Sequence, residues 1–420
     1  MVSQVAVILR IAFWACLGAV AYNYVGYPVL LFLLAMLHQA GSDLKFLLRR
    51  ESRRVSSRRP SYRPRVAILI SAFNEEAVIH ARVKNALEND YPSDLLEILV
   101  GLDSPTDSTA EILSCIQSPR VRVFEFQARR GKLAVLRDLA EQTSAEILIL
   151  TDAETMFAPD CVRNLVRHFE DDRVGVVGGE LRVVGQDGTT PVESLYWRYE
   201  LILKLLETRL NCVVGVVGAV YAVRPVLFHS QKPSFAEDFQ LPMEIRYSGR
   251  KVIYDPEATA TEQPAPTFSA EFRRRIRLGA ADYQILAKNP HFFNPLKGMP
   301  SFAYFSHKVL RWLSPLLLLA AFLFSIALIS SPLYAGMLVA QCVFYGSAGL
   351  GYWLKRRNKS TRILSPPLYF SAMNLALLLG LIRYLSGRQT MAWEATPRVT
   401  ESEKLNSAPM KANAVPRREN

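Results

Sequence analysis

The sequence predicts an α/β domain flanked at both ends by membrane-spanning helices. Strand-like and helix-like patterns alternate over residues 64–290. Long apolar blocks lie on either side of this region, at 5–37 and within 313–386. Strands separated by helices form right-handed βαβ units and hence a parallel sheet. Apolar blocks of about 20 residues are long enough to cross a bilayer.

The first 40 residues predict one transmembrane helix, because residues 5–37 are almost free of charge. A signal peptide is the weaker interpretation, since the block is too long and lacks a clear small-residue cleavage site. Residues 41–63 form a basic juxtamembrane linker, with nine Lys or Arg residues between Lys45 and Arg65. Basic residues beside a span favour the cytoplasmic face and its anionic lipid. We therefore expect the central domain to be cytoplasmic.

The net charge of +12 does not indicate nucleic acid as a partner. The basic linker lacks interleaved aromatic residues, and no nucleic-acid-binding module is recognisable. The five cysteines are far apart, without zinc or disulfide spacing. The six histidines are isolated, which argues against zinc catalysis. Membrane lipid is the expected partner of the basic segment.

Four predicted strands organise the first part of the domain. Each is a short apolar run, typical of a strand buried on both faces. The runs are 65–71, 97–102, 121–126 and 147–150, and helices are predicted after them. Because ligands bind beyond the carboxyl ends of parallel strands, the polar residues that follow predict a single cleft. They are Asn74, Glu75, Asp103, Asp152 and Glu154.

Asp152 and Glu154 are separated by one residue, directly after the fourth strand. Two carboxylates at such an edge can hold a hard divalent cation, Mg²⁺ or Mn²⁺, which prefers oxygen ligands and often bridges to substrate phosphates. The alternative is that the aspartate caps the helix predicted over 159–169. The stretch alone leaves both interpretations open.

The second half of the domain is predicted from weaker patterns. A strand is expected over 174–184, a helix over 193–210 and a short strand over 251–255. The glycine-rich segment 215–224 suggests close approach of the backbone to a ligand. A helix over 271–287 carries four arginines within five positions, Arg273, Arg274, Arg275 and Arg277.

Asp238 is the candidate general base. It follows Glu237 in the sequence F-A-E-D-F, so like-charge repulsion or burial could raise its pKa towards neutrality. Helix capping is the alternative role for either carboxylate. The arginines could bind substrate phosphates or lie on anionic lipid, and the sequence R-G-K that ends at Lys132 could be a phosphate or base contact or a solvated surface.

The C-terminal part predicts an interfacial segment over 291–312, three apolar blocks within 313–386 and a polar, disordered tail over 387–420. The gap after the second of these blocks carries five basic residues, whereas the gap before it is uncharged. With the central domain inside, this pattern satisfies the positive-inside rule. The sequence does not decide whether the last block spans the membrane or lies at its interface. The side of the membrane on which the tail lies therefore also stays open.

The set of motifs resembles the membrane-bound inverting family 2 glycosyltransferases, which include cellulose, hyaluronan and poly-N-acetylglucosamine synthases. The resemblance covers about residues 64–311. It rests on seven motifs in order: A-F-N-E-E, L-D-S-P-T-D-S-T, R-R-G-K, T-D-A-E-T, G-A-V-Y-A-V-R, A-E-D-F and E-F-R-R-R-I-R.

This resemblance implies a GT-A fold that binds a nucleotide-diphospho-sugar donor. It places Asp238 as the base that deprotonates the acceptor, paired with Glu237, and Asp152 and Glu154 at the metal positions. Asn74, Glu75, Asp103 and Lys132 match donor contacts, and Arg274, Arg275 and Arg277 occupy the position of a Q-x-x-R-W element that binds the diphosphate and the acceptor end. Two departures are Glu154 in place of Asp and Leu278 in place of Trp; the second puts processive synthesis in doubt.

The predicted function is transfer of a sugar to a polysaccharide or lipid-linked acceptor in envelope or exopolysaccharide synthesis, at the inner (cytoplasmic) membrane. One alternative is single transfer to a polyprenyl phosphate. Another is a non-catalytic subunit that acts with partner proteins of an envelope complex.

Overall fold

The structure, a computed structural model, describes residues 2–49, 62–184, 194–229, 236–264, 267–357, 359, 361 and 363–387. The predicted basic linker over 41–63 and the predicted disordered tail over 387–420 lie largely outside the described residues.

The central domain is built on one eight-stranded mixed sheet. The strands are β1 (Val66–Ala72), β2 (Leu96–Asp103), β3 (Val121–Phe126), β4 (Ile147–Asp152), β5 (Met156–Phe157), β6 (Val174–Val183), β7 (Val220–Val223) and β8 (Lys251–Glu262). Their order in the sheet is β3-β2-β1-β4-β7-β6-β8-β5. The first four are mutually parallel, as predicted. The expectation of a parallel sheet is wrong beyond β4, because β7 runs antiparallel to both β4 and β6, and β5 runs antiparallel to β8.

Helices surround the sheet and connect it to the apolar ends of the chain. They are α1 (Val2–Ala21), α2 (Tyr27–Arg49), α3 (Ile79–Leu87), α4 (Thr109–Ser114), α5 (Lys132–Glu141), α6 (Cys161–Val166), α7 (Ser194–Arg209), α8 (Pro225–His229), α9 (Glu237–Tyr247), α10 (Phe268–Lys288), α11 (Met299–Ala303), α12 (Leu310–Ala327), α13 (Pro332–Arg356) and α14 (Ser365–Leu385). Helix α5, the helix predicted after the third strand, begins at Lys132, directly after Gly131 with φ of 87°.

The apolar strands separate two cores. In β1, Ile68 and Ile70 enter one core and Leu69 the other, and all three are fully buried. Alternation follows from the strand geometry, which points successive side chains to opposite faces. Burial of each such side chain contributes about 1.5–3 kcal/mol. The central strands thus fix the positions of the loops at their carboxyl ends.

Among the described residues, four helical segments are long and apolar enough to cross a membrane: Gln4–Lys45, Met299–Ala327, Pro332–Arg356 and Ser365–Leu385. Two of them contain a π-helical turn, at Tyr22–Gly26 and at Tyr304–Val309. The second of these segments, Met299–Ala327, therefore includes residues that the sequence placed in an interfacial segment over 291–312.

The last apolar helix is packed against the domain. Helix α14 crosses α10 at Gly380 and Gly279, where a Cβ on Gly380 would lie 2.9 Å from the backbone nitrogen of Ala280. So close a crossing is possible only without a side chain at that position. It ties the arginine-bearing helix α10 directly to the membrane helices.

Candidate active site

A pocket lies at the carboxyl ends of β1, β2 and β4. Such a position suits ligand binding, because the strand ends there leave backbone groups and loop side chains unpaired. Four of the five predicted cleft residues line the pocket, together with Lys132. Its lining consists of Ser71, Phe73, Glu75, Asp103, Arg129, Lys132, Asp152, Ala153 and Glu154.

Asn74 and Asp103 hold the loops that shape this pocket. Asn74 adopts a φ of 54°, and its Oδ1 accepts a hydrogen bond of 2.8 Å from the backbone nitrogen of Thr106. The two carboxylate oxygens of Asp103 accept from the backbone nitrogens of Arg130, at 2.7 Å, and Gly131, at 2.9 Å. Both side chains are therefore hydrogen-bonded to backbone atoms of neighbouring loops. A contact of either side chain with a nucleotide would use the lone pairs that these bonds leave free.

Lys132, the first residue of α5, reaches across the pocket. Its ammonium donates to Asp152 Oδ1 and to the carbonyl oxygen of Gly218, the latter at 3.3 Å. Within the described ranges no cluster of three or more His, Cys, Asp or Glu side chains has metal-binding geometry. Asp152 and Glu154 nevertheless supply two carboxylates to one pocket. One or two carboxylates plus substrate phosphates is the usual protein contribution to a Mg²⁺ site, so this donor set fits such an ion.

The Glu237–Asp238 pair begins α9 on the other side of Lys132. Asp238 rests on the glycine-rich segment: a Cβ on Gly218 would lie 3.4 Å from Asp238 Oδ2, and Val216 donates its N–H to the Asp238 carbonyl at 2.8 Å. The glycine-rich segment was expected to approach a ligand closely. In the structure it approaches the side chain of Asp238.

Burial shifts both acids of this pair. It raises the pKa of Glu237 from 4.5 to about 7, although Lys132 and a 3.0 Å hydrogen bond from the Tyr221 hydroxyl oppose the rise. Burial also raises the pKa of Asp238, and the charge of Asp152 adds to the effect. A carboxylate with a raised pKa is a stronger base, which suits proton abstraction near neutral pH.

The basic helix lies beside the pocket. Arg275 Nε donates to Glu271 at 2.6 Å, and Arg274 Nη1 is 3.7 Å from the same carboxylate. Arg277 follows one turn further along α10. The pocket lining comes from the loops after β1, β2 and β4 and from α5, and it includes none of the arginines of α10.

Two acids that the sequence did not single out interact with these groups: Glu262 with Asp152, Glu154 and Arg274, and Asp282 with Asp238 and Arg275. Glu262 accepts from the Thr155 hydroxyl at 2.5 Å, and burial, with the charges of Asp152 and Glu154, raises its pKa to about 7. Burial likewise raises the pKa of Asp282 to about 7, against the charges of Lys308 and Arg275, and the charge of Asp238 adds to the rise. The strand predicted over 251–255 continues in the structure as far as Glu262. A prediction of the longer strand would have placed Glu262 near the pocket.

Comparison with known proteins gives a consistent result. Residues 67–230 match the family model described as Glycosyl transferase family 2. The chain is 23% identical over 244 residues to a probable glycosyltransferase, YdaM, of Bacillus subtilis (strain 168), covering 54% of this chain and 57% of that protein. It is 21% identical over 243 residues to the poly-beta-1,6-N-acetyl-D-glucosamine synthase of Staphylococcus aureus (strain COL), covering 55% and 57%. The chain thus spans little more than half the length of these relatives.

One solved structure matches almost the whole chain. The mannosyltransferase PcManGT from Pyrobaculum calidifontis, solved in complex with GDP-Man and Mn²⁺, is 22% identical, and the match covers 90% of this chain and 99% of that one with a TM-score of 0.65. At this identity the likeness establishes the fold. The predicted GT-A fold with flanking apolar helices is confirmed.

Proposed function

We propose that this chain, whose residues 67–230 form a glycosyl transferase family 2 domain, is an inverting glycosyltransferase. It transfers a sugar from a nucleotide-diphospho-sugar to a polysaccharide or lipid-linked acceptor in polysaccharide or glycolipid synthesis. The observation that carries the proposal is the junction at Lys132, which contacts Asp152 of the pocket on one side and faces Glu237 and Asp238 on the other. Donor and acceptor chemistry would meet at that point.

The proposed reaction is a single displacement. The acceptor hydroxyl attacks the anomeric carbon as Asp238 accepts its proton, and a new glycosidic C–O bond forms. The bond between the anomeric carbon and the diphosphate oxygen breaks, and its electron pair leaves with the nucleoside diphosphate. Attack opposite the leaving group inverts the configuration. Proton removal by a positioned base contributes about 100- to 10,000-fold to such reactions.

The leaving diphosphate needs positive charge. Asp152 and Glu154 would hold a divalent cation, which neutralises charge on the departing phosphates. Lys132, which lies beside Asp152, would contact the diphosphate together with arginines of α10 through charge-assisted hydrogen bonds. Glu75 and Asp103 shape the donor side of the pocket, and Asn74 fixes the loop beside it.

We place the transferase domain on the cytoplasmic side of the membrane, where nucleotide-activated sugars are made. Addition of a single sugar is the second candidate. Leu278, at the position where processive synthases carry a stacking Trp, is 40% exposed and offers no aromatic ring to an acceptor sugar. A non-catalytic subunit of an envelope complex is the third candidate.

The deciding experiment is a screen of radiolabelled nucleotide-sugars with the purified full-length protein in lipid vesicles, with Mn²⁺, with Mg²⁺ and with EDTA. We expect one donor to be consumed only when metal is present, and the anomer of the product, followed by NMR, to be opposite to that of the donor. Absence of any metal-dependent turnover would favour the non-catalytic subunit. Product length then separates single addition from polymerisation.

A further inference from the structure

The loop that carries Asp152 and Glu154 is fixed at both of its ends. We name residues 152–157 the metal loop. It begins at the end of β4 and finishes in β5, which pairs with β8. In addition, Asn85 of α3 bonds the backbone of Phe157 twice: its Oδ1 accepts from the nitrogen at 2.8 Å, and its Nδ2 donates to the carbonyl oxygen at 2.9 Å. The middle of the loop, with Glu154, lies between these two anchors.

Glu262 holds the middle of the metal loop. The hydroxyl of Thr155, the residue directly after Glu154, donates to Glu262 Oε1 at 2.5 Å. Thr155 is fully buried, so bulk water does not reach the hydroxyl to replace this bond. The backbone nitrogen of Thr155 donates to the carbonyl oxygen of Asp152 at 3.3 Å. A shift of Thr155 is therefore transmitted to both carboxylates of the loop, to Glu154 through the peptide bond and to Asp152 through this hydrogen bond.

Glu262 is itself held in place by the sheet. It is the last residue of β8 and pairs with Val183 of β6. Its carbonyl oxygen accepts from the backbone nitrogen of Val184 at 2.9 Å. A side chain on a paired strand starts from a fixed point, so its hydrogen bond can orient the group that it holds. The chain then leads from Glu262 to α10, whose N-cap residue Thr267 accepts from the nitrogen of Ala270. Glu262 thus connects the metal loop with the segment that begins the arginine-bearing helix.

We propose that Glu262 is a positioning residue of the metal site. Through Thr155 it holds the metal loop so that the carboxylates of Asp152 and Glu154 converge on one divalent cation. This inference rests on the proposed function and adds a residue to it. In the part of the chain that the structure describes, no three acidic side chains are arranged to hold one ion, so Glu262 acts through Thr155 and is not a ligand. Hydrogen bonds outside the ligand set orient the ligands, and their loss typically lowers metal affinity by about 10- to 100-fold.

The test measures how nucleotide binding depends on the metal. The full-length protein in detergent micelles is titrated with UDP and with GDP by calorimetry at a series of Mn²⁺ concentrations. We expect Glu262→Ala and Thr155→Val each to raise the Mn²⁺ concentration for half-maximal nucleotide binding by about tenfold. Valine keeps the shape of threonine without its hydroxyl. The double variant should show the same increase of about tenfold, because all three forms lose one and the same bond.

Conservative variants separate positioning from other roles. Glu262→Gln keeps an oxygen that accepts from Thr155, and Thr155→Ser keeps the hydroxyl, so both should stay close to the wild type in their Mn²⁺ dependence. With the donor that the nucleotide-sugar screen identifies, Glu262→Ala should raise the KM for Mn²⁺, whereas kcat at saturating Mn²⁺ should recover. A general loss of structure would lower kcat at every Mn²⁺ concentration. Full nucleotide binding at saturating Mn²⁺ reports correct folding of each variant.

A second threonine–glutamate bond provides the matched control. The hydroxyl of Thr143 donates to Glu97, which lies near the start of β2, at the end of the strand opposite to Asp103. Neither Thr143 nor Glu97 lines the pocket. Thr143→Val and Glu97→Ala remove the same kind of bond and should leave the Mn²⁺ dependence of nucleotide binding unchanged.

An unchanged Mn²⁺ dependence in Glu262→Ala would overturn the positioning role. So would an effect of about 100-fold in the double variant, since multiplied losses mean that the two side chains act independently. If Glu262→Gln were as weak as Glu262→Ala, the charge and not the hydrogen bond would matter. Each of these results leaves the transferase in place. Nucleotide binding by the wild type that does not depend on Mn²⁺ would instead remove the metal from the proposed function, and with it the role of Glu262.

Discussion

The pocket at the strand ends and a polar cluster beside the membrane helices are assembled in opposite ways. The cluster consists of Tyr22, Tyr27, Glu200, Glu207, Ser306, His307 and Arg311. Each carboxylate of the pocket lies at the end of a buried strand or within a few residues of it, as Asp103 ends β2 and Asp152 ends β4. In the cluster, Tyr27 and Glu207 are 180 residues apart, and Tyr22 and Ser306 are 284 residues apart. The pattern within a single strand is therefore enough to predict the pocket. The second exists only after the helices have packed, so it has no signature in any single stretch of sequence.

The two regions also differ in the free-energy cost of the charged side chains that they contain. Lys132 and Asp152 of the pocket keep 29% and 28% of their side-chain surface exposed, whereas Glu200 and Arg311 of the cluster keep 10% and 11%. Exposed charges are screened by water, while a deeply buried charge must be paired. Substitutions in the pocket should therefore affect mainly chemistry and those in the cluster mainly stability.

The largest expected effect is on chemistry, at the junction of the two regions. Asp238→Asn keeps the shape of the side chain but removes the base, so we expect turnover to fall by about 100- to 10,000-fold. Binding of nucleotide with Mn²⁺, measured by calorimetry, should change little, since Asp238 lies outside the lining of the pocket. The control is Asp94→Asn at an exposed position. Full turnover by Asp238→Asn would exclude it as the base.

The second prediction concerns stability of the cluster. Arg311→Met leaves the buried Glu200 without its arginine, with only the His307 ring at 3.3 Å beside it, and should cost about 3–5 kcal/mol of unfolding free energy. The double variant Glu200→Met/Arg311→Met should recover most of this loss, because no unpaired charge remains. Denaturant unfolding of the protein in micelles, followed by tryptophan fluorescence, measures all three forms.

An exposed ion pair provides the matched comparison for that cycle. Arg163 and Asp90 are 2.6 Å apart, but their side chains are 57% and 64% exposed. Arg163→Met should cost at most about 1 kcal/mol. A similar loss from Arg163→Met and Arg311→Met would show that burial does not distinguish the two regions.

The sequence sufficed for the first four strands and for the edge where Asp103, Asp152 and Glu154 meet, because unbroken apolar runs and polar strand ends are local features. It did not show that β7 reverses direction. That strand is four residues long. Its direction depends on the strands that it pairs with in the folded sheet, and the short stretch itself does not specify them. The proposed roles of Asp238 and of the arginines remain predictions.

Other residues were missed for a tertiary reason. Glu262 lies 107 residues from its partner Thr155, and Lys308 belongs to a helix whose apolar part begins at Met299. Lys308 lies in the segment that was predicted to be interfacial, over 291–312, and was given no role. In the structure its charge acts on Asp238 and lowers the pKa of that acid.

A smaller effect is expected where α14 meets α10. Gly380→Ala places a methyl group 2.9 Å from backbone atoms of Gly279 and Ala280, so α10 must shift, at a cost of about 1–3 kcal/mol. Gly349→Ala in α13 is the control, since a Cβ there meets nothing within 4 Å; it should be neutral or gain up to about 1 kcal/mol from helix propensity. Equal thermal stability of both variants would mean that the crossing tolerates a methyl group.

The smallest predicted effect depends on pH and lies on the catalytic side of the comparison. Burial raises the pKa of Glu237 from 4.5 to about 7, so between these values the folded protein holds a proton that the unfolded chain releases. Stability should thus fall as pH rises through this window, and the loss is complete above about pH 7. Glu237→Gln removes that loss: its stability relative to the wild type should grow by about 1–3 kcal/mol across the window. Tyr221→Phe removes a hydrogen bond that lowers this pKa and should extend the fall to higher pH. A difference in thermal stability between wild type and Glu237→Gln that is the same at every pH would show that the fold does not desolvate Glu237. It would also show that charge is as well tolerated beside Asp238 as in the open pocket.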